Sequence, residues 1–303
     1  MIDAKGILIG VLSVRDRRYH PNRRLIEAAL RFGHNVTLIH TRDCLSELDP
    51  AGSKIKIAAG DGYPDVLLPR IGATINDYAL TIVRHFERSG IRVINGFDSI
   101  LLARNKFLGL QALAHNGIAV PHSYLVINFK GFERAVAALG GYPVVTKMPS
   151  GRQGTGVALV DSSAMAAFIM HNVQDIANGL LVQEYIPQRG RRDIRAFVVG
   201  DRVIGAMELM PKAEDFRSNI HLTGEGTPAI LDKSLSALAI GSAKALGLEV
   251  AGTDIIVDES GRARVIEVNY TPGFRGLERA TGLDIASNII AYVADKVRGN
   301  SCR

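Results

Sequence analysis

Short apolar runs alternate with stretches of helical spacing through the first hundred positions. Residues 7–14, 35–40, 65–69 and 92–94 are rich in Ile, Val and Leu, the composition of buried strands. Between them, residues 22–32 and 78–89 repeat apolar positions at helical spacing. Such alternation predicts a parallel sheet with helices on its faces. Ligands of these sheets collect beyond the carboxyl ends of the strands, where Arg70-Ile71-Gly72 follows Val66-Leu67-Leu68. Arg70 is therefore either a substrate contact or an ordinary strand-end arginine. The first strand-to-helix connection, Ser13-Val14-Arg15-Asp16-Arg17-Arg18, has no Gly-x-Gly-x-x-Gly, which argues against dinucleotide binding.

Asn95-Gly96-Phe97-Asp98 reads as a joint, and one helix is expected over residues 99–115, carrying Arg104-Asn105-Lys106. Beyond Pro121 the pattern becomes α+β. Strands are expected at 124–127, 143–148, 156–160 and 180–187, and a hairpin turning at Gly200-Asp201 between 194–199 and 202–207. Helices are expected at 132–139, 235–246 and 284–297. The fold class is α/β followed by α+β, divided into residues 1–97, 98–183 and 184–303.

The chain has 303 residues, 47% of them hydrophobic, enough for real cores in two or three domains. Its net charge of +6 suits a nucleic acid, an acidic protein or an anionic small substrate. The basic residues are scattered, there is no Trp, and aromatic residues make up 6%, so stacking platforms for nucleic acid are lacking and direct binding to it is not expected. Cys44 and Cys302 have no metal-ligand spacing and form no disulfide framework, which points to a reducing cytoplasm. No run of about 18 apolar residues offers a membrane span, and the N-terminus does not read as a secretory signal.

Acids stand where a core strand should have none. Residues 252–257 and 263–269 are two β-rich runs; with Ser260-Gly261 as a two-residue turn, Asp254 lies opposite Glu267, and Asn269 shares their face. Opposed carboxylates in a buried hairpin call for a cation, and all-oxygen ligands suit Mg²⁺ or Mn²⁺; the alternative is a solvated hairpin edge. Lys147 ends a strand just before Ser150-Gly151-Arg152-Gln153-Gly154-Thr155-Gly156, a loop able to close its backbone N–H groups on phosphate, although a flexible hairpin tip has similar composition. Glu184-Tyr185-Ile186 ends a buried strand, an edge that can meet a purine or be a plain strand end. Asp193-Ile194-Arg195 and Asp215-Phe216-Arg217-Ser218-Asn219 each set an acid beside a guanidinium; Arg217 is placed to stabilise a transferring phosphoryl group or to form a surface ion pair.

Taken in order, Lys106, Lys147 with its glycine loop, Glu184-Tyr185-Ile186, Asp193, Arg217-Ser218-Asn219, Asp254 and Glu267-Val268-Asn269 resemble the ATP-grasp superfamily. Pro69-Arg70-Ile71-Gly72, Val250-Ala251-Gly252, Pro272-Gly273 and Thr281-Gly282-Leu283-Asp284-Ile285 resemble its RimK-type glutamate ligases, which add glutamate to the C-terminus of a ribosomal protein. The resemblance implies an ATP-grasp fold behind an N-terminal Rossmann-like pre-ATP-grasp domain. Residues 98–183 would be the small central subdomain with the glycine-rich flap, and residues 184–303 the C-terminal subdomain with the metal site. It further implies ATP phosphates on Lys106, Lys147, Gly151, Gly154 and Gly156, adenine on Glu184, Tyr185 and Ile186, and Asp193 near the nucleotide. Asp254, Glu267 and Asn269 would hold Mg²⁺ or Mn²⁺; Arg217 and Asn219 would face the reacting phosphate; Arg70, Arg195, Lys212 and Arg275 would face substrate.

The implied chemistry is attack of a carboxylate on the γ-phosphate, giving an acyl phosphate and ADP, then displacement of phosphate by an amine. The implied partners are an amino acid, glutamate first, and a carboxylate acceptor such as a protein C-terminus, in a homo-oligomer. A rival reading is a nucleotide-binding regulatory protein without turnover. The chain departs from the pattern at Leu209-Met210, where arginine is usual, at Leu222-Thr223-Gly224-Glu225-Gly226, and at Tyr270-Thr271. Those departures raise the expectation that its specificity differs from that of a glutamate ligase.

Overall fold

The computed structural model describes residues 6–50, 52–58, 62–72, 75–149, 156–173, 176–209 and 226–300. Its first sheet is parallel, in the order β2 (Asn35–His40), β1 (Leu8–Ser13), β5 (Val66–Pro69), β6 (Arg92–Val93). The helices α1 (His20–Arg31) and α2 (Asp77–Arg88) follow the predicted periodicity. Asn76 starts α2 by accepting from the Ala79 N–H, and Leu80, Ile82, Val83 and Phe86 form its buried face. The hairpin β3 (Cys44–Asp49) and β4 (Gly52–Ile57) was not anticipated; it buries little beyond Cys44 and Ile55, so it leaves no alternating signature.

The single helix expected over residues 99–115 is two helices, α3 (Phe97–Arg104) and α4 (Lys106–His115). The break has a chemical cause: the Asn105 side chain accepts from the N–H groups of Phe107 and Leu108, starting a new helix. Lys106 becomes the first residue of α4, and its backbone N–H donates to Pro149 O at the foot of the glycine loop (2.8 Å).

The second sheet is antiparallel, in the order β7 (Ser123–Val126), β10 (Leu180–Glu184), β8 (Val144–Lys147), β9 (Val157–Val160). The helices α5 (Phe129–Ala138) and α6 (Ser163–Asn172) cover it. Phe132, Val136, Val144, Ala166 and Val182 belong to a core confined to this unit. The third sheet runs β13 (Gly226–Pro228), β12 (Arg202–Leu209), β11 (Arg192–Val199), β14 (Val250–Val257), β15 (Ala263–Asn269). Ile194, Ala196 and Val198 of β11 share a core with α7 (Lys233–Ala245), while Phe197 and Val199 share one with α8 (Arg275–Thr281) and α9 (Ile285–Asn300). Among the described residues no helix is long and apolar enough to cross a membrane.

The first and third sheets are locked together. α9 lies against α1, with Leu25, Ala28 and Ala29 in the same core as Ile285, Ile289, Ile290 and Val293. Asn95, 3% exposed, donates to Val250 O and Tyr270 O (2.7 and 2.8 Å) and accepts from the N–H groups of Glu249 and Val250 (2.7 and 2.9 Å). One amide thereby satisfies four backbone groups at the start of β14 and the end of β15. Asn95→Ala should lower unfolding free energy by about 3 kcal/mol, because it strands several buried partners at once. Urea unfolding checks this; a midpoint unchanged from the native protein would contradict the role given to the amide.

Candidate active site

The hairpin of β14 and β15 brings the acids together by a route the sequence did not show. The turn is not the two-residue Ser260-Gly261 type. Three residues, Glu259, Ser260 and Gly261, are enclosed by the Asp258 N–H to Arg262 O bond (3.0 Å), with Gly261 at φ +81°. The Asp258 carboxylate fixes the loop by accepting from the N–H groups of Ser260 and Arg262. Pairing therefore starts one residue out of the expected register, with Val257 opposite Ala263 and Ile255 opposite Val265. A bulge at Ile266 restores it, so Asp254 faces Glu267 and Gly252 faces Asn269. Gly252 is needed there: a Cβ on it would lie 2.8 Å from Pro272 Cβ, in the loop that follows Asn269.

A row of alternating charge crosses the sheet at this level. Arg195 of β11 pairs in register with Asp254 and grips it with two hydrogen bonds of 2.6 Å, from Nε and Nη2. On the other flank Lys106 Nζ lies 2.7 Å from Glu267 Oε2. Burial raises the Glu267 pKa, but Lys106, Lys147 and Arg195 outweigh it and hold the carboxyl below its ordinary range. Burial likewise disfavours the Arg195 charge, and Asp254 more than compensates. The quartet of Arg195, Asp254, Glu267 and Lys106 is neutral within itself.

Lys147, at the end of β8, is the surplus cation. Its Nζ donates to Gln183 Oε1 (2.7 Å), an uncharged partner held in turn by Ser123 Oγ. Burial, and then the charge of Lys106, pull its pKa down to about 8 despite Glu267 and Asp254 nearby. An ammonium held this way lacks an anion, and the phosphates of a nucleotide would supply one. Gly156, at φ +84°, closes the far side of the loop, while Gly151 and Gly154 lie outside the described residues.

Beyond Glu184 the strand β10 has no ladder partner among the described residues, and Ile186 is buried. The Glu184 side chain accepts from the His122 N–H (3.0 Å) and lies 3.5 Å from Arg264. Asp193, 6% exposed, pairs with Arg191 (2.9 Å), which donates to Ile186 O (2.8 Å). Arg191 and Gln183 thus join the site, and sequence reasoning had missed both; the signal for Gln183 was a polar residue inside a buried apolar run.

Arg195, expected at the substrate, directs its fork at Asp254. Leu209 is 5% exposed and shares a core with Met207, Phe274 and Leu277. Met210, Lys212, Arg217 and Asn219 lie outside the described residues. Arg70 is buried, with Nη2 donating to Pro272 O (2.7 Å), and Arg275 is exposed at the start of α8.

The donors fit a hard divalent cation. Asp254, Glu267 and Asn269 offer oxygens from adjacent strand positions. Among the described residues no three His, Cys, Asp or Glu side chains converge into a complete cage. A site with two carboxylates suits an ion that completes its shell with phosphate and water, which is the habit of Mg²⁺.

The chain is similar to known proteins along nearly its whole length. Residues 103–293 match the RimK-like ATP-grasp domain and residues 7–100 the RimK PreATP-grasp domain. A probable alpha-L-glutamate ligase 1 of Pseudoalteromonas atlantica is 37% identical over 290 residues, covering 95% of this chain and 95% of that protein. The crystal structure of a RimK domain protein ATP-grasp from Sphaerobacter thermophilus aligns with TM-score 0.70 at 25% identity, over 94% of this chain and 99% of that one. The ATP-grasp ligase PsnB, complexed with a phosphomimetic variant of its minimal precursor, Mg and ADP, shares the fold with TM-score 0.74 at 19% identity, over 97% and 99%.

The depressed Lys147 gives a proton-linkage prediction. Near pH 8 this amine is partly neutral, phosphate restores its charge, and nucleotide binding should therefore take up about half a proton. Calorimetry of ADP binding in buffers of different ionisation enthalpy measures that number. Lys147→Met should abolish the uptake and weaken binding, and equal uptake in both proteins would contradict the assignment.

Proposed function

The chain belongs to the RimK-like ATP-grasp family, and on that premise we propose that it joins glutamate, through its amine, to the carboxylate of a peptide, protein C-terminus or small-molecule acid. As a member of this family it is an ADP-forming ligase that makes amide bonds at the expense of ATP, with Mg²⁺. Mn²⁺ would serve the same oxygen donors. The observation that carries the reading is the convergence of Lys106 and Lys147 with the opposed carboxylates Asp254 and Glu267.

In this reading Lys106, Lys147 and the glycine loop hold the phosphates, and the Glu184–Ile186 edge holds adenine. Arg191, braced by Asp193, fixes the carbonyl of Ile186 beside it. Asp254, Glu267 and Asn269 would hold the divalent ion, which would supply charge neutralisation at the phosphates. Arg195 orients Asp254, so it positions a ligand without touching substrate. Lys106 would exchange Glu267 for phosphate as the nucleotide arrives. Arg217 and Asn219 would face the reacting phosphate. The acceptor carboxylate attacks the γ-phosphorus and ADP leaves; the amine then attacks the acyl carbon and inorganic phosphate leaves. No covalent bond to the protein is needed, and rate comes from positioning and neutralised charge.

The acids test the reading. Glu267→Gln keeps shape and removes charge, and Lys106, 18% exposed at its side chain, can be solvated once alone. ADP formation in the presence of glutamate and candidate acceptors should fall about a thousandfold, with the melting temperature little changed. Asp254→Asn should also silence turnover, but it strands Arg195, whose side chain is 7% exposed, and so should cost about 3 kcal/mol of stability. Chelation should stop the native enzyme and Mg²⁺ restore it. Full ADP release by folded Glu267→Gln at ordinary Mg²⁺ would refute the metal assignment.

A further inference from the structure

The parallel sheet has one topological switch point. From β1 the chain passes to β2 on one side and later returns to β5 on the other, so the connections leaving β1 and β5 part and open a crevice between them. The carboxyl ends there are Ser13 and Pro69-Arg70, joined by the Arg70 N–H to Leu12 O bond (2.7 Å). Asn22, fully buried, pins the β1–α1 connection by donating to Ser13 Oγ, Arg15 O and Asp16 O. The connection itself exposes Arg15, Arg17 and Arg18, none in an ion pair among the described residues. α1 begins without a side-chain cap and without an acid in its first turn.

Arg70 sits in this crevice at 8% exposure with no carboxylate partner among the described residues. Its Nη2 donates to Pro272 O, its Nε is buried without a hydrogen bond, and its Cζ lies 5.8 Å from the centre of the Phe274 ring. Burial pulls its pKa down to about 10, so it stays charged at neutral pH. A buried guanidinium without an anion is unfavourable in the free protein. Structural need does not explain it, since a neutral donor would serve Pro272 equally well.

We propose that this crevice seats a substrate carboxylate that is not consumed in the reaction, with Arg70 as its ligand. The proposal rests on the ligase reading above and deepens it, by naming the group that Arg70, expected from the sequence to face substrate, would hold. A carboxylate gripped by a guanidinium is a poor nucleophile, which fits a spectator group better than the one that attacks phosphorus. The position fits too: Pro272 follows Asn269 by three residues, so a molecule anchored at Arg70 lies beside the loop next to the acids. Two sources share this chemistry, a carboxylate of the amino acid and an acidic side chain of the acceptor.

The test is calorimetric titration of native protein, Arg70→Met and Arg70→Lys with L-glutamate and, separately, with an N-acetylated acidic tripeptide, each with and without Mg²⁺–ADP. The variants should lose about ten- to hundredfold in affinity for one probe, which identifies the source, while ADP affinity stays within about twofold. Ligand-free Arg70→Met should melt at or above the native temperature, because it removes an unpaired buried charge. Arg70→Lys, which keeps the charge and loses the fork, carries the test if Arg70→Met does not fold. Unchanged affinity for both probes, or no binding of either by native protein, overturns the proposal. So does a fall in melting temperature and ADP affinity together, the mark of a structural role. A native protein that fails to bind Mg²⁺–ADP contradicts the ligase reading instead, and the nucleotide-free titrations still report on Arg70.

Discussion

Two carboxylates facing each other across neighbouring strands set the terms for the rest of this molecule. Asp254 and Glu267 would repel one another and resist burial unless cations flanked them. Arg195 arrives from the next strand in register with Asp254, and Lys106 from the first turn of α4. Each side chain depends on a different piece of backbone: the bulge at Ile266, the cap at Asn105, and the ladder between β11 and β14. The neutral quartet holds the acids in position through the Arg195–Asp254 and Lys106–Glu267 pairs. Such preorganisation favours a ligand that brings both phosphate and a divalent cation.

The same level of the molecule joins its parts. Asn95 ties the end of the parallel sheet to β14 and Tyr270, and the Tyr270 hydroxyl donates to Gly72 O (2.8 Å). The departure at Tyr270 therefore has a structural use: it braces the Pro69–Gly72 segment that carries Arg70. By contrast the unit of β7 to β10 has its own core and approaches the acids through Lys147 and the Pro149–Lys106 bond. Leu181 of β10 nevertheless packs into the core that the other two sheets share.

Much of this was legible in the sequence because its signals are periodic. Strands of the parallel sheet and the amphipathic helices fell within a few residues of expectation, and the opposition of Asp254 and Glu267 was read correctly. That success rested on two errors of register that cancel, a longer turn and a bulge, neither of which leaves a mark in residue pattern. The helix break at Asn105 was visible as a capping residue but was passed over, because helix-forming Leu and Ala stand on both sides of it. The exposed β3–β4 hairpin, α6 and the short α8 carry little apolar contrast and were not anticipated. Gln183 and Asn95 act through partners distant in sequence, to which single-chain reasoning has no access, whereas Arg191 pairs locally with Asp193 and Ile186 in a basic stretch that reads as surface.

If Lys106 and Arg195 keep the two carboxylates ready for a divalent ion delivered with nucleotide, a bound complex should show it. The direct measurement is a crystal structure of the protein with a non-hydrolysable ATP analogue and Mg²⁺. Asp254 and Glu267 oxygens should lie about 2.1 Å from the ion, with Lys106 withdrawn from Glu267 onto a phosphate. An intact Lys106–Glu267 pair, with nucleotide and ion bound away from these acids, would contradict it.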